Sequence, residues 1–168
     1  MEGKSIYLIG FMGAGKTSIG HELGKKTGLP VIDTDELFEK FTGIEIRNFF
    51  ELYGEQRFRE KETEILLNLS NHPSIITTGG GIILKEKNRQ FLQKSGRVIF
   101  LQCHPDVFLD RLKDDQTRPL IKNKSVEEIK EMYEKRLPLY MESSTVTIDT
   151  SDLSIEEAAE LIINRMNL

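Results

Sequence analysis

The stretch Gly10-Phe-Met-Gly-Ala-Gly-Lys-Thr17 constrains this chain more than any other. Before it runs Ser5-Ile-Tyr-Leu-Ile9, a short apolar run of strand type. After it, Ser18 to Lys26 reads as a helix, with Ile19 and Leu23 four residues apart on one face. A glycine-rich turn between a strand and a helix start is the setting that the pattern G-x-x-x-x-G-K-[ST], a phosphate-binding loop, requires. Gly10, Gly13 and Gly15 permit backbone conformations that a Cβ would obstruct. The successive N–H groups of Gly13, Ala14, Gly15, Lys16, Thr17 and Ser18 can then face a polyphosphate at the positive end of the following helix. Lys16 is expected to reach the β- and γ-phosphates, and the Thr17 hydroxyl to ligate Mg²⁺. An ordinary glycine turn is the plainer alternative, and the strand–turn–helix context disfavours it. The expectation is a protein that binds a nucleoside triphosphate.

The rest of the chain fits one domain, residues 1–168. That length suits a single α/β unit with a full core. A formal net charge of −4 gives no global pull toward nucleic acid or an anionic membrane, and neither is expected as a partner. No apolar run approaches the length of a membrane span, and Met1-Glu-Gly-Lys-Ser5 leaves no room for a signal peptide before the first strand. Cys103 is the only cysteine, which excludes an intramolecular disulfide and a cysteine-based zinc site. A cytoplasmic enzyme is expected.

Strand-like runs at Ser5–Ile9, Pro30–Ile32, Ile75–Thr77, Val98–Leu101 and Val146–Ile148 alternate with helix-patterned segments. Such alternation indicates parallel strands joined by right-handed helical crossovers. The expected architecture is therefore a three-layer α/β fold of the P-loop NTPase type, a five-stranded parallel sheet flanked by helices. Ligands in such sheets collect at the carboxyl ends of the strands, so the residues just beyond each strand matter most.

Asp33-Thr-Asp35 comes directly after the second strand. One carboxylate can hold Mg²⁺ while the other accepts a proton from an attacking hydroxyl, or Asp33 or Thr34 can cap the helix that begins there. Thr42 to Ser70 is helix-patterned and broken by Gly43 and Gly54; its many glutamates read mostly as a solvated face. Within it Arg59 and Glu62 lie three apart, either as a surface ion pair or as an arginine steadied to meet a substrate carboxylate. The segment from about 34 to 62 stands where a small kinase would place an acceptor-binding insert. Thr77-Thr-Gly-Gly-Gly81 ends the third strand, either as a close backbone approach to a ligand or as a tight turn. Cys103 and His104 read as a packing residue and a loop residue. The segment 112–124 has the composition of a lid, and Arg118 within it can swing onto the phosphates. Val126 to Tyr140 is expected as a helix interrupted at Pro138, and Ser154 with Glu157 forms a capping box for the last helix.

Taken together, Gly10–Thr17, Asp33-Thr-Asp35, Gly54–Glu62 with Phe58-Arg59, Gly79-Gly-Gly81, Arg118-Pro-Leu120 and Lys135-Arg-Leu-Pro-Leu-Tyr140 resemble the shikimate kinase family, almost end to end and in this order. The resemblance implies transfer of the γ-phosphoryl group of ATP to the 3-hydroxyl of shikimate, on the route to chorismate and the aromatic amino acids. By the same resemblance Asp35 binds the reacting hydroxyl and serves as base. Arg59 and Arg136 clamp the carboxylate, with backbone contacts from Gly80 and Gly81 and an apolar side made of Ile46, Phe50 and Phe58. Asp33 and Thr17 hold Mg²⁺, Arg118 is the lid arginine, and Arg111 lies against adenine. Ile155 departs from the proline that many members carry after the last strand, which bears on adenine packing. A related small-molecule kinase such as a gluconate kinase is the neighbouring alternative. A GTP-dependent switch is disfavoured, because Asn123-Lys124 continues as Ser-Val rather than as a guanine-reading signature. A monomer is expected, since no exposed apolar face stands out in the sequence.

Overall fold

Ile6–Ile9 (β1) is buried along its whole length, as are Ile75–Thr77 (β3) and all but the last residue of Val98–Gln102 (β4). Strands that read as unbroken apolar runs belong in the middle of a parallel sheet, where helices cover both faces. The computed structural model of the protein, which describes residues 4–69, 72–113 and 123–168, has this arrangement. Among the described residues five strands pair in the order β2-β3-β1-β4-β5, with Val31–Asp33 (β2) and Val146–Asp149 (β5) at the edges. Every pairing is parallel. These are the five strands expected from the sequence, displaced by at most one residue at an end.

The direction of each crossover sets the face on which its helix lies. β1 reaches β2 in one direction, through Lys16–Thr27 (α1). The other crossovers run the opposite way, through Thr34–Thr42 (α2) with Ile46–Leu67 (α3), through Glu86–Ser95 (α4), and through Pro105–Leu112 (α5) with Val126–Ser143 (α6). Accordingly α4 packs with α3 and α6 on one face, while α1 packs with the closing helix Ile155–Met166 (α7) on the other.

Local chemistry sets the helix limits. Gly28 and Gly43 take left-handed conformations and end α1 and α2, their N–H groups bonding back to Gly24 and Glu39 carbonyls. Gly54, at φ 78° and ψ 172°, breaks α3 into two pieces, so both glycines interrupt the helical pattern as the sequence indicates. The Ser154–Glu157 capping box opens α7, and a second box, Ser125–Glu128, opens α6. Pro138, in contrast, does not interrupt α6, which continues to Ser143. Pro138 and Glu134 both lie on the exposed side, so the carbonyl that proline leaves without its helical donor faces water. Tyr133, Arg136 and Tyr140 hold the buried side on either side of it.

The main core lies between the sheet and its two helical layers, and α2 and α3 enclose a second, smaller one around Phe38, Phe58 and Ile65. The same helices leave Phe41, Leu52 and Tyr53 exposed at 64%, 67% and 54%, apolar surface that the sequence did not bring out. α1 approaches the sheet through Gly20 and Gly24 rather than through large side chains. A Cβ on Gly20 would stand 2.4 Å from Thr77 Cγ2, and one on Gly24 would stand 2.5 Å from Val31 Cγ2. Gly20→Ala should therefore destabilise the protein by about 1–2 kcal/mol, the overlap outweighing the helix propensity that alanine gains. Denaturant midpoints of the two proteins check this; an equal or higher midpoint for the variant would show that the helix and sheet can separate without cost.

Candidate active site

The site is built on loops at the carboxyl ends of the strands, and glycine governs how closely those loops approach one another. After β1, a Cβ on Gly10 would fall 2.7 Å from the Leu101 carbonyl oxygen, so the loop can lie against β4 only without one. Gly15, at φ 91°, occupies the left-handed region immediately before α1. The buried Lys16 ammonium donates to the carbonyls of Gly10 and Phe11 at 2.8 and 2.9 Å, which folds the side chain over the loop it belongs to. Arg111, from α5, donates to the Gly13 carbonyl at 2.8 Å.

At the end of β2, the two oxygens of Asp33 have different surroundings. Its Oδ1 accepts from the N–H groups of Asp35 and Glu36 at 2.9 and 3.3 Å and caps α2. Its Oδ2 accepts from the hydroxyls of Thr77, at 2.7 Å, and Thr17, at 3.1 Å. The second oxygen therefore faces the phosphate loop. A hydroxyl beside a carboxylate oxygen is a hard oxygen set of the kind that suits Mg²⁺, which takes one or two carboxylates and keeps much of its water. No cluster of three or more His, Cys, Asp or Glu side chains exists among the described residues, so a metal wanting more protein ligands fits less well.

After β3, each glycine of Gly79–Gly81 meets a different neighbour. A Cβ on Gly79 would lie 2.9 Å from Asp35 Oδ1 and 3.1 Å from Glu62 Oε1. One on Gly80 would lie 3.2 Å from the Met12 nitrogen, and one on Gly81 would overlap the Arg59 guanidinium. The turn is thus a surface against which charged side chains and the phosphate loop lie flat. The bland reading of the glycines as a turn alone is insufficient.

Arg59 and Glu62 form a buried pair, each 5% exposed, rather than the surface pair that an isolated arginine and glutamate on a helix would suggest. Arg59 Nη1 donates to Glu62 Oε2 and Oε1 at 2.8 and 2.9 Å. Burial pushes the Glu62 carboxyl up to about 7 against the pull of Arg59; Asp35 pushes it the same way and Arg136 opposes. Arg136 is also buried, its guanidinium 5.7 Å from the centre of the Phe11 ring. Its Nη1 has no hydrogen-bond partner among the described residues. A buried donor left in that state is costly and suits an anion brought from outside.

Three adjoining cavities run along these loops. The first, of about 400 Å³, is lined by Asp35, Arg59, Gly80, Gly81 and Arg136 with Ile46, Phe50 and Phe58 on its apolar side, and by Met12, Glu39, Glu45, Arg47, Glu62 and Gly79. The second, of about 230 Å³, is lined by Gly13, Gly15, Lys16, Thr17, Ser18, Asp33 and Arg111, and shares Asp35, Gly79 and Gly80 with the first. The third, of about 190 Å³, is lined by Ala14, Ile19, Thr150, Leu153 and Ile155, and shares Gly15, Ser18 and Arg111 with the second. The structure thus brings together the residues singled out from the sequence, apart from Arg118, which lies outside the described residues. Ala14 faces the third cavity, not the second, and Ile155 is part of the wall there.

Sequence reasoning missed the burial of Glu62, the bond from Thr77 to Asp33, and Tyr140, whose hydroxyl donates to the Gly80 carbonyl. Tyr140 lies four residues beyond Arg136, one helical turn along the same face, and that spacing was the available signal. Cys103 is a packing residue, as expected, its thiol pushed up chiefly by burial. His104 caps α5 through Nδ1.

Comparison with known proteins identifies the family. The family model described as shikimate kinase matches residues 12–167. A shikimate kinase of Bacillus cytotoxicus is 44% identical over 164 residues, covering 98% of this chain and 99% of the relative. One of Thermodesulfovibrio yellowstonii is 45% identical over 162 residues, covering 95% and 93%. The solved structure of a shikimate kinase from Acinetobacter baumannii in complex with shikimate superposes with a TM-score of 0.94 at 35% identity, covering 98% of this chain and 93% of that one. Sequence and fold agree over nearly the whole length, and the chain belongs to the shikimate kinase family.

Proposed function

We propose that the protein transfers the γ-phosphoryl group of ATP to the 3-hydroxyl of shikimate, giving shikimate 3-phosphate and ADP on the route to the aromatic amino acids. One observation carries the reading. The Asp35 carboxylate lines both the cavity that holds the buried arginines and the cavity of the phosphate loop, so an acceptor hydroxyl and a terminal phosphate can meet beside it. In the first cavity Arg59 and Arg136 bind a carboxylate, while Ile46, Phe50 and Phe58 cover the apolar side of a small ring. In the second, Lys16 leaves the loop carbonyls for the phosphates, and the N–H groups of the loop cradle them. The bond between the γ-phosphorus and the ADP oxygen breaks as the acceptor oxygen bonds to phosphorus, and Asp35 accepts the acceptor's proton. Thr17 and Asp33 would hold Mg²⁺, whose charge offsets that of the phosphates. The third cavity takes the adenine, between Arg111 and Ile155.

The proposal extends to single-domain organisation, with an acceptor-binding insert at about 34–62 and a lid at about 112–124 carrying Arg118. It includes a monomeric enzyme in the cytoplasm with no nucleic-acid or membrane partner.

Shikimate-dependent release of ADP from Mg²⁺-ATP tests the reading, with gluconate and no acceptor as parallel arms. Turnover with gluconate alone would assign the pocket to a different acid, and turnover with neither would remove the acceptor assignment. Asp35→Asn should retain ATP binding and lose at least about a hundredfold in kcat, the range of a general base. Near-native turnover would take Asp35 out of the chemistry. Arg136→Ala should raise KM for shikimate by roughly tenfold or more with KM for ATP little changed, the scale of one charged hydrogen bond; equal rises in both would break the carboxylate-clamp assignment.

Glu62 also gives a pH prediction with a defined sign. In the folded protein its proton is held up to about pH 7, against the ordinary carboxylate range when unfolded. Between those limits the folded state binds more protons, so stability contributed by this group falls as pH rises. Glu62→Gln should therefore gain stability relative to the parent between about pH 4.5 and 7. Parallel melting curves across that window measure the difference, and a constant difference would mean that Glu62 titrates as an ordinary carboxylate.

A further inference from the structure

The Gly79–Gly81 turn borders the acceptor cavity with backbone alone, and three successive glycines have no side chains of their own with which to fix it. Its middle peptide is gripped from two sides. On one, a Cβ at Gly80 would stand 3.2 Å from the Met12 nitrogen and 3.5 Å from the Gly10 carbonyl oxygen, so the phosphate loop abuts the glycine directly. On the other, the Tyr140 hydroxyl donates to the Gly80 carbonyl.

Tyr140 is well placed to hold that carbonyl. It is fully buried, and its ring stacks on Phe100 of β4 with centroids 5.0 Å apart and planes 15° apart. Burial raises its phenol far above the ordinary value, with Arg136 opposing, so the hydroxyl remains a donor throughout the working pH range. It lies one turn beyond Arg136 on the buried face of α6. The Gly80 carbonyl and the Gly81 N–H share one trans peptide plane and point in opposite directions. Fixing the carbonyl toward Tyr140 therefore sets where the Gly81 N–H points, and it ties that peptide to the helical turn that carries Arg136.

We propose that Tyr140 is a positioning residue for acceptor binding, its hydroxyl orienting the Gly80–Gly81 peptide and keeping it in register with Arg136. The inference deepens the proposed reaction and rests on it for the identity of the acceptor. The nucleotide side has further anchors of its own, since Lys16, Thr17 and Arg111 are held by the phosphate loop, Asp33 and α5, although Gly80 also borders the phosphate cavity.

Tyr140→Phe tests the idea because it keeps the ring on Phe100 and removes only the hydroxyl. KM for shikimate should rise roughly five- to twentyfold, the effect of leaving one buried carbonyl without its donor, while KM for ATP stays within about twofold. Amide hydrogen exchange in the unliganded protein supplies a readout that does not depend on the acceptor being shikimate. Amides from Gly79 to Ile82 should exchange about tenfold or more faster than in the parent, with β1 and β4 unchanged, as expected of local rather than global opening. Ile162→Ala is the control, loosening the main core from α7, on the opposite face of the sheet from α6, without touching Tyr140 or the Gly80 carbonyl. It should lower the melting temperature while leaving KM for shikimate close to the parent value. A lowered melting temperature for Tyr140→Phe with unchanged KM, or unchanged exchange at Gly79–Ile82, would reduce Tyr140 to a core residue and overturn the proposal. An absence of shikimate turnover in the parent would instead count against the acceptor, with the exchange experiment still deciding the role of Tyr140.

Discussion

Close contact between two glycine loops underlies the whole site. The phosphate loop after β1 and the glycine turn after β3 extend from neighbouring strands, and the Gly80 backbone stands so close to Met12 and Gly10 that a Cβ between them would be a tight fit, 3.2 Å from the Met12 nitrogen. Because the loops touch, the phosphate cavity and the acceptor cavity share a wall. Because that wall is backbone, Asp35, Glu62 and Arg59 can lie flat against it at Gly79 and Gly81. A single Cβ on Gly81 would occupy the space of the Arg59 guanidinium, which would have to move. The requirement for in-line phosphoryl transfer, two reactants held within bonding reach, is met here by the absence of side chains as much as by their presence.

Charge in the acceptor cavity is arranged around that wall. Arg59 is paired with Glu62 in a buried site, and that burial holds the Glu62 proton more tightly than usual despite the pull of Arg59. Arg136 has no comparable carboxylate partner among the described residues. Its guanidinium lies over the Phe11 ring, an interaction worth far less than an ion pair, and one of its buried nitrogens has no acceptor among those residues. The two arginines are therefore unequal. One is oriented before substrate arrives, and the other has hydrogen-bonding capacity still to be used. Such a pair favours an anion over a neutral polyol, because only an anion offsets the desolvation already borne by Arg136.

Much of this was legible in the sequence, for identifiable physical reasons. β1, β3 and β4 are buried on both faces, so their composition alone marks them, and Gly43 and Gly54 break helices in the way glycine should. The phosphate loop, Asp33, Asp35 and the glycine turn were found because each lies directly beyond a strand. The features that escaped depended on burial across the fold. Whether Arg59 and Glu62 face water or a cavity is decided by β3 and α6, not by their spacing on α3. Pro138 read as an interruption because local rules count the lost hydrogen bond, whereas the exposed side of α6 gives the orphaned carbonyl to water. Gly20 and Gly24 carry no periodic signal, although α1 could not approach β2 and β3 as it does without them.

Asp33 shows how one side chain can satisfy a structural rule and a chemical one together. Had it been only a helix cap, both its oxygens would be free to share the two N–H groups of the first turn. Instead Oδ1 takes both, and Oδ2 is turned toward Thr17 and Thr77. The Thr77 bond fixes the carboxylate plane from β3, the strand whose end also supplies the glycine turn. The cap thus couples the start of α2, which carries Asp35, to the hydroxyl at the start of α1. A displacement of either helix would move Asp35 relative to the phosphate loop, and the shared carboxylate resists it from both sides. Capping and chemistry are competing readings of Asp33-Thr-Asp35 in one dimension; in three dimensions one oxygen of Asp33 caps α2 while the other still faces the phosphate loop, so the cap leaves an oxygen for chemistry.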